Sequence, residues 1–385
     1  MRKLAVLMIL ALLIGMAGSV SPVKGAESKE LTIYTYDSFV SYGLANATIP
    51  EFEKAYGVKV NVITAGDAGE VLNKLILEKG NPQADVVIGI DNSLAAKAID
   101  AGVLEVYRPP NINVVPKELI DALDPTYHLI PYDYGAIAIV YKKNQVQNPP
   151  ETFGDLLNPK WKKSLILEDP RTSSTGMAFL LWTIAAYGDP GWLYYWEKLK
   201  PQIYQITKGW DAGWEMWDKG EAPLFLSYAT DPAYDAYYYT NGTEPNIGAI
   251  LLNNTAYIQV EGIGIVKGCK HPDLAKKFVE FVLSKEFQRE VPLHNWMFPA
   301  SKEVGLPGVY KYAAKPRKIL DPKPGEIKAN YNRWLQEWTE LMVEGKSPEE
   351  IIKEHETRTG SEKSICGPVA IVALAVIPLL LRKRR

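Results

Sequence analysis

Between Leu31 and Ala101 the chain reads LTIYTY (31–36), LANATIPEFEKAY (44–56), KVNVITA (59–65), EVLNKLILE (70–78), ADVVIGI (84–90) and LAAKAIDA (94–101). The first, third and fifth are short apolar or β-branched runs. The others space their apolar residues three and four apart, as at Val71, Leu72, Leu75 and Ile76. Period-two or continuous apolar runs alternating with period-3.6 segments spell β-α-β-α-β-α. That order predicts a parallel sheet with helices on both faces.

A second unit of the same kind follows. Strands are expected at 136–143, 164–168 and 223–228, with helices at 175–187 and 211–219. A strand at 257–267 and helices at 273–283 and 325–343 complete the pattern. The chain has 385 residues, enough for two cores. The expected fold class is therefore α/β: two lobes, each a mostly parallel sheet flanked by helices, with a cleft between them.

The ends carry a different message. Arg2 and Lys3 precede an apolar run, Leu4 to Ala17, and small residues lead to Gly25–Ala26, so 1–26 reads as a cleavable signal peptide. The polar run 346–364 reads as a solvated charged linker. Ile365 to Leu381 is almost wholly apolar and is closed by Arg382, Lys383, Arg384 and Arg385, which reads as a membrane segment with a cytoplasmic end. The expected location is the outer face of the cell membrane. Cys366-Gly367-Pro368 before that tail resembles the archaeal CGP-type C-terminal sorting signal, which implies processing at the tail.

Composition excludes several classes. A formal net charge of −2 gives no footprint for nucleic acid. Cys269 and Cys366 are the two cysteines, one in the globular part and one in the tail, which excludes a disulfide framework. The four histidines are scattered, and no zinc spacing occurs; no metal and no cofactor is expected. The 22 Tyr and 10 Trp against 9 Phe favour rings that carry a polar handle, as in a binding cleft.

Ligands of open α/β sheets bind beyond the carboxyl ends of the strands. Those positions hold Tyr36-Asp37-Ser38, Gly66-Asp67-Ala68-Gly69, Asp91-Asn92, Asp169 to Gly176, Lys208-Gly209-Trp210, Tyr228 to Tyr234 and His294 to Pro299. Tyr and Trp offer faces to a ring cation. Asp67 offers an acceptor for an exocyclic amine, and Ser173, Ser174 and Thr175 stand where a helix begins and free N–H groups favour an anion. Each has a plainer reading: Asp67 and Ser173 as helix caps, Trp214 and Trp217 as core. The residues alone describe a two-lobed binder of a small aromatic or cationic ligand.

From Leu31 to Val343 the chain resembles the thiamine-binding proteins of ABC importers. The resemblance rests on Tyr34-Thr35-Tyr36-Asp37-Ser38-Phe39, residues 84–92, Pro131-Tyr132-Asp133-Tyr134-Gly135, Asp169-Pro170-Arg171-Thr172-Ser173, Thr207-Lys208-Gly209-Trp210, Leu226-Ser227-Tyr228, Pro232-Ala233-Tyr234 and Asn295-Trp296-Met297. It implies the type II periplasmic-binding-protein fold, with lobe 1 at 31–135 and 267–345, lobe 2 at 136–266, and hinge strands near Tyr134–Tyr141 and Gln259–Val266. It implies a monomer that captures thiamine or a thiamine phosphate without chemistry and delivers it to an ABC permease. Carried over, Asp67 and Ala68 meet the pyrimidine, and Ser173 and Ser174 the hydroxyethyl or phosphate end. Trp210, Tyr228, Ala229, Thr230, Asp231 and Pro232 complete that side, and Tyr36, Tyr234 and Trp296 are the aromatic walls. Asp231 stands where the family commonly has a small hydroxyl residue, so a weaker preference for phosphorylated thiamine is expected. The rivals are a ferric-ion or other small-cation binder, to which Tyr237-Tyr238-Tyr239 would belong, and a thiamine-degrading enzyme, which would need a cleft cysteine.

Overall fold

A computed structural model describes residues 30–365, with the side chains of 358–365 left aside. The signal peptide and the apolar tail expected from the sequence lie outside the described residues. The strands are β1 (Glu30–Thr35), β2 (Lys59–Thr64), β3 (Val86–Asp91), β4 (Leu104–Glu105), β5 (Ile130–Lys142), β6 (Leu165–Glu168), β7 (Ile203–Thr207), β8 (Leu224–Tyr228), β9 (Ile247–Ile250), β10 (Thr255–Ala256), β11 (Ile258–Val266), β12 (Phe298–Pro299) and β13 (Lys318–Ile319).

The main path runs β2-β1-β3-β11-β5-β8-β6-β7. β1 pairs parallel with β2 and β3, and β6 parallel with β7 and β8, as the two β-α-β units require. β11 and β5 are antiparallel to their neighbours, so each lobe is parallel with an antiparallel inner edge. The long strand β5 joins the lobes. Its first half, up to Ala136, pairs with β11, and its second half, from Ile137, pairs with β8 and β9.

β11 pairs with β3, β4 and β5 on the first-lobe side, whereas β9 still pairs with the second half of β5. The chain passes back to the first-lobe strands between Ile250 and Ile258, and Ile258 and Gln259 pair with Ala136 and Gly135, beside the point where β5 changes partners.

β3 is buried at every position, and Val86, Val87, Ile88 and Ile90 have no exposure, which is why that run carries no polar alternation. The helix Ser174–Tyr187 is apolar all round because both of its faces are covered, with residues 174–184 buried. Its Trp182 indole donates to Thr255 Oγ1 at 3.0 Å.

The run read as a solvated linker is a helix, Pro348–Ile365. Ser347 caps it: its hydroxyl accepts from the Glu350 N–H at 3.3 Å, and the Glu350 carboxylate returns the bond to the Ser347 N–H at 2.8 Å. Ile351 is buried, so one turn of this polar helix is docked. Among the described residues no helix is long and apolar enough to cross a membrane.

Candidate functional site

The cleft lies where strand ends from both lobes converge. Asp67 is the clearest case of one residue serving two purposes. It caps the helix Ala68–Leu77 through a bond from the Ala68 N–H at 2.7 Å, with Glu70 completing a capping box. Its other oxygen accepts from the Trp210 N–H of the opposite lobe at 3.3 Å. Burial pushes its carboxyl up, and hydrogen bonds from Ser173 and from the N–H groups of Ala68, Trp210 and Ser174 oppose that rise.

Aromatic rings form most of the wall. Trp210 and Trp214 sit one turn apart on the helix Trp210–Asp218 and stack at 5.2 Å. Trp214 therefore lines the cleft and is not in the core as expected. Its neighbour Trp217 is fully buried against Phe225, as expected. Tyr42 reaches from the first lobe to Trp210 at 5.4 Å and Tyr234 at 5.8 Å. Tyr234 meets Trp296 edge-to-face at 5.1 Å. Trp296 holds φ = 56°, a left-handed conformation that costs a bulky residue on the order of 1–3 kcal/mol. The surrounding contacts impose it, and they fix where that indole points.

Of the residues expected from the sequence, Tyr36, Asp67, Ser174, Trp210, Tyr228, Asp231, Tyr234 and Trp296 line one cavity. Ala68, Ser173, Ala229, Thr230 and Pro232 lie behind it, all buried. Ser173 caps its helix, accepting from the Gly176 N–H and sharing a hydrogen with Thr175 Oγ1 at 2.8 Å. Ala229 is held in sheet-like bonds to Ala136 and Ala314, and Thr230 precedes the helix Asp231–Tyr238.

The lining also includes Ser38, Tyr42, Thr175, Trp214, Glu261, Asn295 and Met297. Asn295 and Met297 belong to the strand-end run His294 to Pro299, in which the resemblance assigns a wall role to Trp296. Tyr42 follows the helix Asp37–Ser41 and not a strand, so strand ends do not point to it. Glu261 sits inside an apolar strand, where period-two reading assigns it no function.

The electrostatics are one-sided. No Lys, Arg or His is among the lining residues. Burial lifts Asp231 to about 7, with Ser227 Oγ donating to it at 2.5 Å, and the Trp210 indole N–H donates in turn to Ser227 at 3.0 Å. Asp211, at the rim, is lifted to about 6 by burial and by the charges of Asp37 and Asp67. Glu261 accepts from the hydroxyls of Tyr132 at 2.6 Å and Tyr36 at 2.9 Å.

The rivals' residues fall elsewhere. Tyr237, Tyr238 and Tyr239 are exposed, and the first two rings lean on Trp296 at 5.6 Å. Cys269 follows β11 outside the cavity, and burial with the nearby Asp85 pushes its thiol up to about 11, the opposite of an activated nucleophile.

Residues 47–316 match the model of a family described as bacterial extracellular solute-binding protein. Thiamine-binding periplasmic proteins of Brucella abortus and Escherichia coli are 36% and 34% identical. The matches cover 83% and 80% of this chain and 93% and 92% of those proteins. A solved periplasmic thiamin binding protein superposes with a TM-score of 0.77 at 33% identity, covering 83% of this chain and 98% of its own. Sequence and fold agree over the same span, and the chain belongs to the bacterial extracellular solute-binding protein family.

Proposed function

We propose that this protein captures thiamine in the inter-lobe cleft and hands it to an ABC permease. The observation that carries the reading is the pairing of an aromatic-walled cavity with buried carboxylates and no cationic side chain in its lining. A flat, positively charged ring suits that combination. It gains from faces of Tyr and Trp, on the order of 2 kcal/mol each when desolvated, and it supplies the charge that the carboxylates lack. The names of the relatives give the identity of such a ring.

Asp67 then accepts from the aminopyrimidine, Tyr36, Tyr234 and Trp296 wall the rings, and Ser174 and Thr175 meet the hydroxyethyl end. Export by the N-terminal segment and tethering through the C-terminal tail, with the CGP-type signal at Cys366, would hold the cleft outside the membrane beside its permease. No covalent step is required.

Calorimetric titration with thiamine, with Trp fluorescence followed in parallel, tests the reading. One-to-one binding with a fluorescence change is the expected result. Absence of heat and of any fluorescence change, on folded protein freed of co-purified ligand, would overturn it.

A further inference from the structure

Three neighbouring strands place acids in one row at the floor of the cleft. Glu261 on β11 stands directly opposite Asp91 on β3 and directly opposite Asp133 on β5. All three are buried: Asp91 and Asp133 are 0% exposed and Glu261 5%. Like charges opposite one another on a sheet repel, and here no buried cation separates them. The titratable groups facing Glu261 are Asp91 from β3, Tyr132 and Asp133 from β5, Tyr36 from the end of β1, Asp67 from its helix start and Tyr228 from β8. Every one is an acid or a phenol.

Two further observations point from this row towards a ligand. Glu261 is the member that lines the cavity, under the aromatic walls. One oxygen of Asp133 is buried without a hydrogen-bond partner, although Asn295 Nδ2 donates to the other at 2.6 Å. Groups this close titrate as a unit.

We infer that Glu261 is a specificity-determining residue of the cleft, and that it makes capture an exchange in which a bound monocation displaces the proton held by the Glu261–Asp133 pair. This deepens the thiamine reading and rests on it. The step balances: a carboxyl O–H bond breaks, its proton passes to the buffer, and the ligand's positive charge takes its place. The net charge of the floor stays constant, so the pair never stands doubly ionised and unpaired in a desolvated site. A neutral isostere brings no charge to replace the proton, and an anionic group adds to the repulsion. The row therefore selects for cations by charge, while the aromatic walls select for shape. Burial raises both carboxyls, Glu261 to about 7, and the Glu261 charge raises Asp133 further while Asp133 hydrogen-bonds the ionised Glu261 and holds it down, so the pair keeps a proton, on the Asp133 side, to be exchanged near neutral pH.

The test is calorimetry of thiamine binding to the full chain at pH 6.5 in two buffers of different ionisation enthalpy. The apparent heats should differ by an amount corresponding to roughly one proton released per site. Affinity should rise about tenfold per pH unit for each proton released while the pair is still protonated, and level off above that range. Glu261→Gln, or Asp133→Asn should the first not fold, is expected to remove the buffer dependence and flatten the pH slope. Binding with identical heats in both buffers overturns the exchange and leaves thiamine capture standing. Release that persists undiminished in folded Glu261→Gln assigns the proton to another carboxyl, such as Asp231, and equally overturns it. Absence of binding in the wild type overturns the thiamine reading beneath it.

Discussion

Trp296 shows how much of the cleft depends on single side chains held against their preferences. An indole at φ = 56° is kept there by Tyr234, Tyr237 and Tyr238, whose rings surround it at 5.1 to 5.6 Å. Truncation to Ala removes one stacking face and leaves the strained backbone. With a cation–π contact worth about 2 kcal/mol and tenfold per 1.4 kcal/mol, Trp296→Ala is expected to weaken thiamine roughly thirtyfold in a titration. Unchanged affinity would take this ring out of the site. At this scale the sequence was legible where a side chain follows a strand end directly, as with Asp67, Trp210 and Tyr228. It was not legible where tertiary folding brings in a residue from elsewhere. Tyr42 arrives by a turn, Trp214 by sharing a helix face with Trp210, and Glu261 by register across three strands, and none of these relations exists in one dimension.

The strands of the first unit fall within two residues of where their apolar runs place them, because a strand covered on both faces has one reading. The helix Pro348–Ile365 is the opposite case. Its charged composition suggests a solvated linker, yet Ser347-Pro348-Glu349-Glu350 is a capping box with Pro at the first helical position, a start signal independent of burial. Ile351, buried with Pro348 in its first turn, packs where the helix meets Gly191–Leu199 and the segment Glu340–Glu344. Ile351→Ala should therefore lower the stability measured by denaturant unfolding by roughly 2–4 kcal/mol and leave thiamine affinity unchanged, because this helix does not line the cleft. A chain cut after Lys346 loses the same anchor. Equal stability of variant and wild type would mean that the helix does not dock.

The two lobes meet across the cleft at named points. Lys208 pairs with Glu70 at 2.6 Å, the Trp210 N–H bonds Asp67 at 3.3 Å, and the Gly69 N–H bonds the Thr172 carbonyl at 3.1 Å. The lobed architecture followed from the two β-α-β units, but the passage between lobes did not, since β5 reads as one strand although it serves two sheets. Closure of such lobes around a ligand is hinge motion, and it makes one glycine sensitive to the state of the whole molecule. A Cβ on Gly69 would stand 2.6 Å from the Thr172 oxygen and 3.0 Å from its carbon, backbone atoms that cannot rotate aside. With the lobes apart nothing of Thr172 is near, and Ala in the helix Ala68–Leu77 gains up to about 1 kcal/mol over Gly. Gly69→Ala therefore acts with opposite signs on the two states. It should stabilise the open form slightly and penalise the closed form by roughly 1–3 kcal/mol, the usual cost of an overpacked contact. A ligand that binds the closed form loses affinity by the fraction of closed molecules lost, so thiamine binding should weaken about ten- to hundredfold while the melting temperature of the ligand-free protein stays level or rises. Small-angle scattering should show the ligand-free variant more extended than the wild type. A variant that melts lower, or that binds thiamine as tightly as the wild type, would mean that the lobes do not approach one another at Gly69 when the ligand is held.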